Sequence, residues 1–124
     1  MQAVGIVLVS ALLGGVSSSS LFQSSYSLKD PNHFGDVPYV QSDESGASLR
    51  WTYGTIGFFF SPESKVIDGR LVFALRATSS SGALAGKPGR RAIERKPELE
   101  ALKTKGAYWR EPNGREVKLE VRAE

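Results

Sequence analysis

The sequence predicts a small, mainly β domain: an antiparallel sandwich or half-barrel with one short surface helix in its C-terminal half, preceded by an apolar N-terminal segment. Three observations lead there. Residues 49–60 hold the densest block of β-forming and aromatic side chains, residues 70–78 alternate cleanly, and an Asn113-Gly114 turn separates Tyr108 and Trp109 from another alternating run. With 124 residues the chain has room for one domain, and about 100 residues remain for a core once the N-terminal segment is set aside. The divisions read as 1–22 apolar segment, 23–48 polar linker or strap, and 49–124 β domain. The absence of cysteine excludes a disulfide framework, a thiolate metal site and a catalytic thiol.

The apolar N-terminal run, residues 3–16, carries no charge. It suits a membrane anchor, although a span needs about 20 apolar residues and reaches that length here only by counting the serines at 17–20. A cleaved signal peptide explains the short apolar centre followed by small residues, but no Lys or Arg precedes it. A buried strand or helix of a soluble fold is the third reading. Residues 17–48 turn to Ser, Asp, Gly, Pro and Asn and read as a strap docked by Phe22, Tyr26, Phe34, Val37, Tyr39 and Val40. Within it, 36–40 is the extended piece, and Pro38 places that piece at a sheet edge.

Residues 49–60 read as the central strand. Leu49, Trp51 and Tyr53 share one face, and the apolar set then shifts to Ile56, Phe58 and Phe60, so an extra residue at Gly54-Thr55 is expected as a bulge. After the Ser61-Pro62 turn and Asp68-Gly69, Leu71, Phe73, Leu75 and Ala77 form the buried face of a strand expected to pair antiparallel with residues 51–60. Residues 79–91, with Gly82, Gly86, Pro88 and Gly89, read as a flexible loop. A helix is expected over 97–105, started by Pro97, stopped at Gly106, and packed through a narrow stripe of Leu99 and Leu102. The last strand should bury Val117, Leu119 and Val121.

No stretch carries a decisive catalytic pattern. His33 stands alone in Asp-Pro-Asn-His-Phe-Gly-Asp, and a general base needs a nucleophile and an orienting acid to converge on it. The same segment fails as a calcium loop, because Phe34 and Gln41 stand where oxygen ligands belong. Gly82 to Lys87 lacks a spacer residue of a phosphate loop, and Pro88 replaces its Ser or Thr. No cofactor or metal is implied. The net charge of +3 is uneven: Asp30, Asp36, Asp43 and Glu44 are acidic, whereas Lys87, Arg90, Arg91, Arg95 and Lys96 form a basic stretch that could pair with them.

These features favour a non-enzymatic accessory or binding module of the cell envelope, membrane-anchored or exported, that contacts a protein partner or another copy of itself. Membrane contact would run through residues 3–22. The binding candidates are Trp51, Tyr53, Tyr108, Trp109, Lys87, Arg90, Arg91 and Arg95. The alternatives are a basic nucleic-acid-binding β domain, for which +3 is a thin electrostatic footprint, and a small hydrolase using neither cysteine nor metal. A soluble cytoplasmic location accompanies the core reading of the N-terminus.

Overall fold

A computed structural model describes residues 22–44 and 46–123. The anchor, signal and core readings of the N-terminal segment fall almost wholly outside the described residues. In chain order the elements are β1 (Phe34–Asp43), β2 (Gly46–Tyr53), β3 (Glu63–Ile67), β4 (Arg70–Ala74), β5 (Pro88–Ile93), α1 (Lys96–Lys105), β6 (Ala107–Arg110), β7 (Glu116–Lys118) and β8 (Val121–Ala123). They form two four-stranded sheets, ordered β5-β2-β1-β8 and β3-β4-β6-β7. Among the described residues, the mainly β, sandwich-like architecture with one short helix is therefore what the alternating patterns called for.

Pairing is mixed rather than purely antiparallel. β4 runs parallel to β6, and β1 runs parallel to β8. Parallel neighbours need a long crossover, and between β4 and β6 the chain makes it by visiting the first sheet as β5 and then forming α1. The local hairpins are antiparallel. β3 and β4 join through Asp68 and Gly69, both with positive φ, the requirement of a two-residue type I′ turn. β6 and β7 join across the expected Asn113-Gly114 turn.

The sheets close on a core containing Phe34, Val40, Leu49, Trp51, Tyr53, Leu71, Phe73, Ile93, Trp109 and Leu119. Burial of such side chains contributes about 1.5–3 kcal/mol each. A second, smaller cluster lies on the other side of the second sheet, where Phe22 covers Val72 and Ala74 and meets Ile67 and Tyr108. The strap is tied down by polar groups as well. Ser24 N–H donates to the Arg110 carbonyl, Ser25 N–H to the Leu75 carbonyl, and Ser24 Oγ accepts from Leu75 N–H.

Several expectations are corrected. The strand from 49 ends at Tyr53 instead of running through a bulge to Phe60. The turn at 31–33 sits flush on Gly54, taking its N–H and those of Thr55 and Ile56 onto the carbonyls of His33, Pro31 and Asn32. Those bonds turn the chain out of the sheet. Phe60 still enters the core, but from a loop, and is centred among the Phe34, Trp51 and Tyr53 rings at 5.3, 5.5 and 4.8 Å. Ile56 is exposed and Phe58 half-buried. The 70–78 strand stops at Ala74 and pairs with β3, not with residues 51–60.

Part of the presumed linker is a strand. β1 lies inside its sheet rather than at an edge, and Pro38 fits because the ladder to β2 shifts register between Asp36 and Tyr39 while β8 pairs only with residues 40–42. Part of the presumed 79–91 loop is the edge strand β5. The helix ends as expected and begins one residue earlier, at Lys96, but its buried residues are Glu98 and Ala101, with Leu99 and Leu102 partly buried. Glu98 is accommodated because Ser64 Oγ donates to its carboxylate. The final run divides between sheets: Leu119 is buried, whereas Val121, on β8, is exposed.

Candidate binding face

The outer faces of the two sheets differ. The strap covers the second sheet with Phe22. The first sheet carries an open cleft of about 850 Å³ lined by residues of β1, β2, β5 and the 118–122 segment. Strand alternation builds its floor. On β2, Leu49, Trp51 and Tyr53 turn into the core, so Arg50 and Thr52 turn outward. On β5, Gly89 lies beneath the Trp51 ring and Ile93 is buried, which sends Arg90 to the outer face.

Register then assembles a row across the sheet. Arg90 is the partner of Arg50, and Arg50 is the partner of Tyr39. The Arg122 guanidinium lies 3.7 Å from the centre of the Tyr39 ring and completes the row from β8. Arg50 is braced by its Nε donating to Ser48 Oγ at 2.7 Å. Arg122 pairs with Glu120 at 3.1 Å, and that hydrogen bond, opposed by slight desolvation, raises its pKa above the ordinary arginine value. Among the described residues no carboxylate forms an ion pair with Arg50 or Arg90.

Of the residues singled out from the sequence, Arg90 belongs to this row. Trp51 contributes to the cleft wall but is buried, as are Tyr53 and Trp109. Tyr108 is half-buried against the Phe22 cluster on the other sheet. The aromatic candidates therefore serve the two cores. The basic stretch is divided: Arg91, on the opposite face of β5 from Arg90, lies 5.9 Å over the Phe73 ring. Lys87 precedes β5, and Arg95 caps α1 through its backbone position. Asp30, expected to face that stretch, pairs with His33 instead, at 3.0 Å. His33 is buried against the Tyr26 ring at 3.9 Å. Arg50, Tyr39 and Arg122 were missed. The available signal was the outward parity of Arg50 beside Leu49 and Trp51, but its partners depend on pairings that local sequence does not state.

Among the described residues no cluster of three or more His, Asp or Glu side chains could hold a metal ion, and no helix is long and apolar enough to cross a membrane. The chain matches no family model, and searches of curated proteins and of solved structures return no match.

Proposed function

We propose that this domain is a non-enzymatic binding module that contacts a protein partner through the outer face of its first sheet. The asymmetry of the sandwich supports the reading: one outer face is occupied by the chain's own strap, the other is an open cleft across four strands. A surface left concave and polar, with a braced arginine inside it, suits recognition of another molecule. The cell-envelope setting is part of the proposal and rests on the apolar run at residues 3–16.

A photo-crosslinking residue placed at Thr52, in the floor of the cleft, tests the binding face in cells. A discrete protein adduct is expected from Thr52 and none from the same group at Ser25 on the strap. Equal adducts at both positions, or none at either, would remove the face as the contact surface. Fractionation of cells, with the chain followed by antibody, should place it with the envelope; recovery wholly in the soluble cytoplasmic fraction would end that part of the proposal.

A further inference from the structure

We propose that the arginine row recognises an acidic segment of the protein partner, with a carboxylate seated between Arg50 and Arg90; this rests on the binding-module reading and names its ligand. The two residues are direct cross-strand partners. Like charges in that position repel, and opposite charges attract, because facing side chains start only about 4.5–5.5 Å apart. Edge-strand protection accounts for an arginine on β5, where charge discourages unwanted strand pairing. It does not account for Arg50, which stands on an interior strand. The bond to Ser48 restrains Arg50 before any ligand arrives, so less rotamer freedom is lost on binding.

A carboxylate matches this geometry. Guanidinium groups present paired donors that fit a carboxylate or a phosphate in a fork. Two further features favour a protein carboxylate over a nucleic-acid backbone. Asp36 and Glu120 also line the cleft, so its cations, Arg50, Arg90, Lys118 and Arg122, are interrupted by negative charge that a continuous polyanion would meet. Base stacking would need open aromatic faces, yet Trp51 is buried and the Tyr39 face is taken by Arg122.

The test measures binding of the full chain to a short synthetic peptide of alternating Glu and Thr, to inorganic pyrophosphate and to oligothymidylate. Salt-sensitive peptide binding is expected, weakened about tenfold by either Arg50→Gln or Arg90→Gln, since one charge-assisted hydrogen bond is worth about that factor. Arg91→Gln, on the opposite face of the same strand, should leave it unchanged. Arg50→Lys should recover only part of the affinity, because an ammonium lacks the fork. No peptide binding, peptide binding indifferent to Arg50 and Arg90, or tighter pyrophosphate or oligothymidylate binding lost in the double variant overturns the assignment. If the Thr52 adduct persists in that double variant, the face still binds a partner and only the carboxylate inference fails; if Thr52 gives no adduct in the parent chain, the binding-module reading itself fails.

Discussion

Gly89 lies directly beneath the Trp51 indole: a Cβ at Gly89 would fall 2.1 Å from Trp51 Nε1. The two residues are paired across β2 and β5, and the absent side chain is what lets the large ring occupy the space between strands. Gly89→Ala should therefore lower stability by about 1–3 kcal/mol, the range for an overpacked core. Thermal denaturation of Gly89→Ala, Trp51→Leu and the double variant gives the check. The double variant should lose less than the two single losses added, because removing the ring removes the clash; additive losses would show that the two sites do not interact.

Gly54 makes a different kind of contact, backbone against backbone. A Cβ there would fall 2.3 Å from the Pro31 carbonyl oxygen. Gly54→Val should cost on the order of 3 kcal/mol or more, since neither neighbour can rotate away as a side chain can. Chemical denaturation measures it, and an unchanged midpoint would mean that the 31–33 turn does not hold the end of β2.

Glu116 sits between two arginines. Its Oε2 accepts from Arg70 Nη2 at 3.0 Å and from Nη2 of the buried Arg110. Glu116→Ala should cost about 3 kcal/mol, because it removes one partner of an ion pair whose guanidinium is buried. Glu120→Ala breaks the exposed pair with Arg122 and should change stability by less than about 1 kcal/mol. A reversed order in urea unfolding would contradict the burial of Arg110 as the deciding factor.

Phe22, the first described residue, is buried against Val72 and Ala74. A protein beginning at Leu28 should be less stable than one beginning at Leu21 by at least the roughly 1.5–3 kcal/mol of a buried aromatic side chain. The truncation to Leu28 also removes the Ser24 and Ser25 bonds to Arg110 on β6 and to Leu75, just after β4. Equal melting temperatures for both would show that the strap adds nothing to the sandwich.

What could be read from the sequence follows the range of the interaction that decides each element. Pro97, Gly106, Asp68-Gly69 and Asn113-Gly114 act on their own neighbours, and the helix and both turns appear where those residues place them. The end of β2 depends on carbonyls of residues 31–33, about two dozen positions upstream, so the phase shift at Gly54, which locally reads as a bulge, marks the chain leaving the sheet. β5 contains Pro88, Gly89, Arg90 and Arg91, a composition with little strand preference. It is a strand because Gly89 accommodates Trp51. The candidate face was half legible for the same reason: outward parity can be read along β2, but the meeting of Arg50 with Arg90, Tyr39 and Arg122 depends on three separate pairings.

The parallel pairing of Val40 with Val121 carries a kinetic consequence. β1 and β2 can form a hairpin as soon as Tyr53 has left the ribosome, yet their sheet lacks β5 and β8 until far more of the chain has emerged. Until β6 and β7 also follow, Val40, Leu49 and Trp51 lack a complete opposing sheet to cover them. Distant contacts of this kind slow folding because loop closure must precede the stabilisation it allows. A chain in which β8 has not yet joined β1 thus keeps apolar surface open to aggregation for longer than a sheet closed by hairpins alone would.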